Sequence, residues 1–250
     1  MTSNFNQVWN WSSLQRKTDA LMNKAYINAA ERLVINALKI NSAPQNILDV
    51  GAGSGLILRH LANKNLNHFN YTGIDLNTEG LEILKQRASK LNLSSNVITK
   101  QDDITKKNSD FICKYDMIIS NFCLYTISNS DRRQQALDNI SSYLSDDGSF
   151  HISLPSENYS AGNISFQCFK DELIDKQNVV LKTIRTTLLV PYQWHFVLKP
   201  IEAKVESGDF TKFNPLQIET EFRKSKLKIT SLGLDYGGCG YHIHGFRDKG

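Results

Sequence analysis

The stretch "ILDVGAGSGLILRHLA" (Ile47–Ala62) constrains the fold more than any other part of the chain. A short apolar run contains Asp49, three glycines then alternate with small residues, and an amphipathic segment follows. Glycine has no Cβ and adopts positive φ angles readily, so it suits a tight turn against which a ligand can lie. The pattern predicts a buried strand over Ile47–Val50, a glycine-rich turn, and a helix that begins near Ser54.

Four further strands are predicted after this turn, and helical patterns separate most of them. The apolar stretches are "YTGIDL", "NVITKQDDI", "YDMIISNFCLY" and "SFHISLP". Strands that alternate with helices predict a doubly wound parallel sheet, and continuous apolar strands suit a sheet that is covered on both faces. A helical pattern over Ser13–Ile40 precedes the sheet, and "PLQIETEFRKS" predicts another helix near the end. The segments "LKITSLGLDY" and "GYHIHGF" predict two closing strands, with "YGGCGY" as the hairpin between them.

The composition narrows the class of protein. The chain has 250 residues, of which 40% are hydrophobic, and a formal net charge of +4. We find no run of basic residues that would bind nucleic acid, and no stretch as long as a membrane span. The cysteines are scattered without a CxxC pair, which favours reduced thiols and a cytoplasmic location; they are Cys113, Cys123, Cys168 and Cys239. The abundance of Asn, Lys and Ile suggests a bacterial source.

The glycine turn suits a nucleotide-like ligand, but its spacing argues against a dinucleotide. That fingerprint is G-x-G-x-x-G, and here Leu56 stands where the third glycine should be. Asp75 ends the second strand roughly 20 residues after the turn, where a carboxylate accepts both hydroxyls of a ribose. A helix N-cap is the alternative role for Asp75. The third strand ends in Asp102-Asp103-Ile104, which can meet an exocyclic amine and a purine face.

Five segments in order resemble the class I S-adenosylmethionine-dependent methyltransferases. They are "ILDVGAGSG", "YTGIDLN", "KQDDI", "YDMIISNFCLY" and "LSDDGSFHISLP". The resemblance covers about Gln45 to Pro155, with a similar ending from Leu227 to Phe246. It implies S-adenosylmethionine as the cofactor and an α/β, doubly wound, mostly parallel seven-stranded sheet with an antiparallel last strand. The residues after the fifth strand would then be a cap insertion.

The resemblance also implies which residues hold the cofactor. The methionine moiety and ribose would lie along Asp49, Gly51, Ala52, Gly53 and Gly55, and Asp75 would hold the ribose hydroxyls. The adenine would meet Leu76, Asp103 and Ile104, and the sulfonium would meet Asn121 and Phe122. Asp102 is the alternative to Asp103, which we prefer because "KQDDIT" places it where the strand-end acid of the family falls.

The acceptor is expected to be a small molecule. Methyltransferases that act on the exocyclic amines of nucleic acid bases usually carry Asn/Asp-Pro-Pro-aromatic after the fourth strand, whereas this chain has Asn121-Phe122-Cys123-Leu124. We therefore predict methyl transfer from S-adenosylmethionine to an oxygen or nitrogen of a sugar, an amine or a secondary metabolite. A protein or peptide methyltransferase and a non-catalytic cofactor-binding module are the alternatives.

An oxygen acceptor needs a base, so histidines and tyrosines are the candidate catalytic groups. We expect His195, in the insertion, to act as the base, with His242 and Tyr125 as further catalytic candidates. The predicted substrate-binding residues are Tyr159, Tyr192, Trp194 and His244. For His242 and His244 the alternative is an exposed strand face, and His151 is expected to be a satisfied core or surface residue rather than a catalytic one. No further ligand at metal-site spacing accompanies these histidines, so no metal is expected.

The chain is predicted to have four parts. Residues 1–44 would form a helical lid, because in related small-molecule methyltransferases such a segment folds over the cofactor. Residues 45–155 would bind the cofactor, residues 156–210 would cap the substrate, and residues 211–250 would complete the sheet. Two exposed tryptophans, Trp9 and Trp11, would be a liability in the first segment, which favours a lid or a homodimer contact.

Overall fold

The structure is a computed structural model that describes residues 22–64, 66, 69–175 and 178–249. These residues form a seven-stranded sheet in the order β3-β2-β1-β4-β5-β7-β6. The strands are β1 (Asn46–Val50), β2 (Asn70–Asp75), β3 (Val97–Gln101), β4 (Tyr115–Asn121), β5 (Leu144–Pro155), β6 (Leu227–Asp235) and β7 (Gly240–Arg247). The pairs from β3 to β5 are parallel, and β7 is antiparallel to both of its neighbours. The predicted fold class is therefore confirmed.

Helices flank the sheet and follow its strands. They are α1 (Lys24–Ile40), α2 (Leu56–Ala62), α3 (Thr78–Lys90), α4 (Ser130–Tyr143), α5 (Ala161–Ile174), α6 (Val179–Ile184), α7 (Val190–Gln193), α8 (Lys199–Glu206) and α9 (Pro215–Lys224). Among the described residues, no helix combines the length and the apolar character that a membrane span requires.

The first helix begins where its sequence caps it. The Asn23 side chain accepts a hydrogen bond from the backbone N–H of Tyr26, so α1 starts at Lys24. Ala25, Ala29 and Leu33 recur at four-residue steps on one side of α1, and all three are fully buried. The helical prediction is thus confirmed from Lys24 onward. Its beginning at Ser13, together with Trp9 and Trp11, lies outside the described residues.

Two strand boundaries differ from the prediction. The fourth strand was expected to run to Tyr125, but β4 ends at Asn121, because Phe122 adopts a φ of 48° and breaks the extended backbone. A 3₁₀ turn over Leu124–Thr126 follows. The fifth strand begins at Leu144 rather than Ser149. After β4 ends at Asn121, the chain turns and runs along the edge of the sheet at which the parallel strands end.

The insertion after β5 is helical, where the sequence showed no clean strand–helix unit. It contains α5 and then a helical run from α6 to α8 that includes two π-helical segments, Arg185–Leu189 and Trp194–Leu198. Arg185 forms a buried ion pair of 2.7 Å with Glu172 of α5, which ties the run to that helix. The side chain of Asn23 donates to Gln193 at 3.2 Å, so the insertion also rests on the start of α1. The four-part division of the chain stays a prediction.

The order of the strands reverses between β1 and β4. Strands β2 and β3 lie on one side of this point and β5, β7 and β6 on the other. Chain segments that leave the carboxyl ends of two such strands diverge, and the crevice between them is where ligands bind in open α/β sheets. Gly51 follows β1 and Phe122 follows β4, so the predicted glycine turn and the end of the fourth strand face each other across this crevice.

Candidate functional site

The glycine turn is held against the end of β4. Gly51, Gly53 and Gly55 all have positive φ angles, of 76°, 49° and 80°. The backbone N–H groups of Gly51 and Ala52 both donate to the carbonyl oxygen of Ile74, at 2.9 and 3.0 Å. A Cβ at Gly51 would lie 2.4 Å from both the Cβ and the Sγ of Cys123. Glycine is therefore required at Gly51 by backbone conformation and by space together.

Asp75 closes the other side of the turn. Its Oδ2 accepts from the backbone N–H of Gly53 and its Oδ1 from that of Asn77, both at 2.8 Å. The N-cap of α3 is Asn77, whose side chain accepts from Gly80, so Asp75 is not the cap of that helix. Asp75 remains half-exposed and lines the crevice, which leaves it placed for the predicted contact with a ribose.

Two cavities meet at the glycine turn. They share four lining residues, namely Gly51, Asp75, Cys123 and Thr126. The first cavity, about 180 Å³, includes Leu76, Asp102, Asp103, Ile104, Thr105, Ile127 and Arg132 in its wall. The predicted adenine-binding residues Leu76, Asp103 and Ile104 therefore lie together, although they come from two different strand ends. Apolar side chains beside carboxylates suit a flat purine with an amine at its edge.

Both acids at the end of β3 face the first cavity. Asp103 accepts from the N–H and hydroxyl of Thr105 at 3.0 and 2.7 Å and pairs with Arg132 at 3.2 Å. Asp102 accepts from the backbone N–H of Asp103 at 2.8 Å and from the side chain of Asn108 at 2.7 Å. Since both acids line the cavity, the preference for Asp103 over Asp102 stays a prediction.

The second cavity, about 210 Å³, has five aromatic rings in its wall, and we call it the aromatic cavity. Its wall includes the rings of Tyr26, Phe122, Tyr125, Tyr159 and Tyr236. The Phe122 ring centroid lies 6.0 Å from that of Tyr26 and 5.1 Å from that of Tyr236, so these three rings form one continuous surface. Met22, Val197, Leu198 and Ile201 add further apolar wall, the last three from the insertion.

Asn121 provides a polar group inside this cavity. The residue is 6% exposed, and neither amide atom of its side chain has a hydrogen-bond partner with good geometry among the described residues. Burial raises the pKa of the nearby Tyr26 phenol to about 12, an effect that Asn121 partly offsets. Buried amides are normally hydrogen-bonded, so Asn121 is available to a ligand.

Asp49 is buried beneath the turn. Its Oδ2 accepts a hydrogen bond from the Tyr71 hydroxyl, and its Oδ1 has no partner among the described residues. Burial raises the pKa of Asp49 to about 7, which the Tyr71 hydrogen bond opposes and the charge of Asp75 adds to. A buried carboxylate of this kind is costly unless a cationic ligand group compensates it.

Replacing Asp49 with asparagine should stabilise the ligand-free protein at alkaline pH. The pKa of Asp49 is near 4 in the unfolded chain and about 7 in the folded protein. Below about pH 4 the protonated acid costs no stability, and the free energy of unfolding then falls as the pH rises from about 4 through about 7. The stability gained in Asp49→Asn should therefore be larger at pH 8.5 than at pH 5.5, by about 2 kcal/mol. Urea unfolding at the two pH values measures this. An advantage that is the same at both values would contradict the raised pKa.

The structure leaves three of the four predicted residues of the insertion outside the cavity. Tyr192, Trp194 and His195 are exposed and are not among its lining residues. The Tyr192 and His195 rings instead contact Phe196, at centroid distances of 4.9 and 4.6 Å. The spacing of these residues in the sequence could not predict their exposure. Which side of the helical run from α6 to α8 faces the cavity depends on how the run packs on the rest of the protein. Val197 and Leu198 face the cavity in their place.

His195 should therefore be dispensable. We expect His195→Ala to keep kcat/KM within about twofold of the wild type, because an exposed side chain outside the cavity contacts neither reactant. The assay is transfer of labelled methyl from S-adenosylmethionine to the acceptor. A decrease in kcat/KM of tenfold or more would contradict this prediction and support a catalytic role for His195.

The two histidines of β7 are built into the sheet. Nδ1 of His244 lies 2.8 Å from Nδ1 of His151, whose Nε2 bonds Ser149 at 2.9 Å. His242 lies 3.2 Å from Asp235. Burial lowers the pKa of both His242 and His244 to about 4. The exposed strand face considered for them is wrong, and neither lines the two cavities. Of the core and surface positions expected for His151, the structure shows the core position.

The two remaining predicted residues, Tyr125 and Tyr159, do line the aromatic cavity. Burial raises the pKa of both phenols, which favours their neutral form and makes them poor proton acceptors. Among the described residues, no group of three or more histidine, cysteine or acidic side chains is arranged to hold a metal ion.

Sequence reasoning missed Tyr26 and Tyr236. Tyr26 follows the cap of α1 in a pattern typical of any packed helix, so nothing in the sequence separates it from the core. Tyr236 precedes two glycines in the hairpin and adopts a φ of 56°, which is uncommon for a bulky residue. The aromatic residue in "YGGCGY" is the one signal that could have marked it.

The comparisons with known proteins agree with this geometry. A family described as a methyltransferase domain matches residues 41–212. No curated protein matches the chain. Among solved structures, the protein that forms a complex with the Trm112 methyltransferase activator of Haloferax volcanii has a TM-score of 0.63 at 14% identity, with 97% of this chain and 98% of that chain covered.

Two further structures have the same fold. A TehB-like SAM-dependent methyltransferase from Corynebacterium glutamicum has a TM-score of 0.59 at 15% identity, over 97% of this chain and 99% of that one. Magnesium protoporphyrin IX methyltransferase from Synechocystis, solved with bound SAH, has a TM-score of 0.59 at 12% identity, over 90% and 84%. The chain spans 67% of the length of a protein from Bordetella parapertussis and 56% of the length of a protein described as an O-methyltransferase from Nostoc punctiforme, both of this fold.

The chain belongs to the methyltransferase domain family, since that family matches most of its length. Together with the sheet order and the glycine turn, this makes it a class I S-adenosylmethionine-dependent methyltransferase. Its cofactor is S-adenosylmethionine. The described residues fit that group: the open backbone at Gly53, where a Cβ would meet no atom closer than Asp75 Oδ2 at 4.0 Å, an unpartnered oxygen of Asp49, and the buried amide of Asn121.

Proposed function

We propose that this protein transfers the methyl group of S-adenosylmethionine to a small molecule held in the aromatic cavity. The observation that carries the proposal is the junction of two cavities at Gly51 and Cys123. The first cavity has the polar and apolar groups expected for an adenine, and the second combines the glycine turn and Asn121 on one side with aromatic rings on the other. A methyl group at the junction would face the second cavity.

The cofactor residues of the proposal are those predicted from the sequence. Asp75 would bind the ribose, while Leu76, Asp103 and Ile104 would hold the adenine. Asp49, with Gly51, Ala52, Gly53 and Gly55, would lie along the methionine moiety and ribose. Asn121 and Phe122 would lie beside the sulfonium. When bound, the cofactor supplies a methyl group that is already activated for displacement.

The remaining task of the protein is to position the acceptor and exclude water. The rings of Tyr26, Phe122 and Tyr236 provide a rigid apolar surface, and Tyr125 and Tyr159 extend it. Holding the acceptor in line with the methyl group replaces a bimolecular encounter with a step between bound partners, which is a large part of catalysis in such reactions. Val197, Leu198 and Ile201 of the insertion supply apolar cover above it.

Methyl-labelled S-adenosylmethionine tests the proposal directly. The protein is incubated with a fractionated extract of the source cells, and we expect label in the low-molecular-mass fraction. Label confined to the protein fraction would support the protein or peptide methyltransferase instead. Cofactor binding without any transfer would support a binding module. Boiled protein is the control for chemical methylation.

Two sequence predictions stay part of this proposal. The first is a cytoplasmic, bacterial enzyme without a nucleic-acid or membrane partner. The second is a homodimer, which light scattering of the purified protein would test. A single mass of one chain at working concentration would exclude the dimer.

A further inference from the structure

The described wall of the aromatic cavity contains one acidic side chain and no basic one. Asp75 is the charged side chain in its wall, and neither lysine, arginine nor histidine occurs among the described residues that line it. Asp49 lies beneath the adjoining turn, and Asp103 lies in the first cavity. Asp103 is paired with Arg132, whereas an acceptor that carries a carboxylate or a phosphate would find Asp75 and no counter-ion within the described wall of the aromatic cavity.

The pKa of the Cys123 thiol shows that a negative charge is disfavoured at the junction of the two cavities. The thiol stands against Gly51, where the two cavities join. Burial raises the pKa of this thiol well above its usual range, and the charges of Asp75, Asp49 and Asp103 raise it further. A thiolate, phenolate or carboxylate acceptor placed beside it would meet the same opposition.

The cavity also offers no described base. Burial raises the pKa of the Tyr26, Tyr159 and Tyr236 phenols, so they stay protonated. Both oxygens of Asp75 accept backbone N–H groups, and Asp49 does not line the cavity. A hydroxyl acceptor needs a group that removes its proton. The described wall provides none.

What the wall does provide is aromatic faces. The centroid distances among Tyr26, Phe122 and Tyr236 are 6.0, 6.5 and 5.1 Å. Aromatic faces attract cations, by about 0.5 kcal/mol at exposed sites and about 2 kcal/mol or more when water is excluded. These rings and the nearby acids both favour a positive charge that develops on the acceptor.

We propose that the acceptor atom is the nitrogen of a neutral amine carried on an apolar, flat body, because the aromatic cavity has acids around it and no described cation or base in it. This inference rests on the proposed function. The nitrogen lone pair forms the new N–C bond while the S–C bond breaks, and the electron pair of that bond stays on sulfur. The positive charge passes from sulfur to nitrogen, and the methylated ammonium releases its proton to solvent.

The labelled products of the extract experiment decide the type of bond. We expect label in compounds that bind a cation exchanger at acidic pH and survive alkaline hydrolysis, as methylamines do. Small molecules that release labelled methanol in alkali, or that stay neutral in acid, would overturn the amine while leaving the proposed function intact. Absence of label from all small molecules would overturn both.

Ligand binding gives an independent test with defined probes. The protein saturated with S-adenosylhomocysteine is titrated with 1-aminonaphthalene and with 1-naphthoate, which share a ring system and differ in charge. We expect the neutral amine to bind at least tenfold more tightly at pH 7.5. Equal binding, or tighter binding of the carboxylate, would contradict the inference.

A set of tyrosine variants tests the aromatic wall. Tyr26→Leu should lower kcat for the labelled amine about tenfold with a smaller change in KM, because the ring acts on charge that develops during transfer. Tyr26→Phe keeps the ring and should keep most of kcat. Tyr192→Leu removes an exposed ring outside the cavity and is the matched control. A loss in Tyr26→Phe equal to that in Tyr26→Leu would assign the effect to the hydroxyl and overturn the role of the ring.

Discussion

Gly51→Ala should lower the affinity for S-adenosylhomocysteine by at least about a hundredfold. The new Cβ would lie 2.4 Å from two atoms of Cys123, a separation that requires the backbone or the end of β4 to move. The φ of 76° adds a penalty of about 1 kcal/mol for a residue with a Cβ. Because the turn and Cys123 together form the junction of the two cavities, either movement disturbs the cofactor site. Isothermal titration measures the loss.

Two variants separate the clash from the backbone penalty. Gly208 has a φ of 81°, and a Cβ there would meet no atom within 4 Å, so Gly208→Ala carries the penalty alone. It should bind the cofactor normally. In the double variant Gly51→Ala, Cys123→Gly the clashing atoms are gone, and we expect at least a tenfold recovery of affinity. Near-normal binding by Gly51→Ala itself would show that the two segments are not held in contact.

Asp75→Ala should weaken cofactor binding by roughly a hundredfold. A hydrogen bond to a charged group contributes about 1.5–3 kcal/mol, and the proposed contact with a ribose has two. The substitution also removes the acceptors of the Gly53 and Asn77 N–H groups, which hold the turn in place. The affinity for S-adenosylhomocysteine, measured by titration, reports both effects.

A deoxy analogue separates the ribose contact from the support of the turn. Wild-type protein should bind S-adenosylhomocysteine much more tightly than its 2′,3′-dideoxy analogue, whereas Asp75→Ala should bind the two about equally. Asp147→Ala is the control, because Asp147 is exposed and pairs only with Lys249 among the described residues. Equal discrimination by the wild type and Asp75→Ala would place the ribose elsewhere.

The sheet could be predicted because its central strands, β1, β4 and β5, are buried on both faces over most of their length. Segments such as "ILDV" and "YDMIIS" are mostly apolar, with Asp49 and Asp116 as their charged residues, and helical patterns separate most of the predicted strands, so order and type follow from the pattern alone. The glycine turn and the acid of the second strand were predictable for the same reason: each comes directly after a strand, and carboxyl ends of parallel strands share one edge. The boundary at Asn121 could not be predicted, since a positive φ is uncommon for a bulky residue such as Phe122 and no local pattern in the sequence marks it.

The acceptor side depended on contacts between segments that are distant in the chain. The π-helical segment Trp194–Leu198 contains Trp194 and His195, yet Val197 and Leu198 are its residues that face the cavity. The imidazole of His195 suggested a catalytic base. Whether a side chain on a helix faces the cavity depends, however, on which side of the helix packs against the rest of the protein. In the same way, His242 and His244 share one face of β7, and that face proved to be interior.

The sequence by itself determined the fold class, the family resemblance and the position of the cofactor turn, because these depend on local patterns of apolar residues and glycines. Only the tertiary structure decided what surrounds the acceptor. Tyr26 from α1, Phe122 after β4 and Tyr236 before β7 form one aromatic wall, although they are far apart in sequence. Residues that come from three separate elements form no motif with a fixed spacing in the sequence. Only the packing of these elements brings the three rings together.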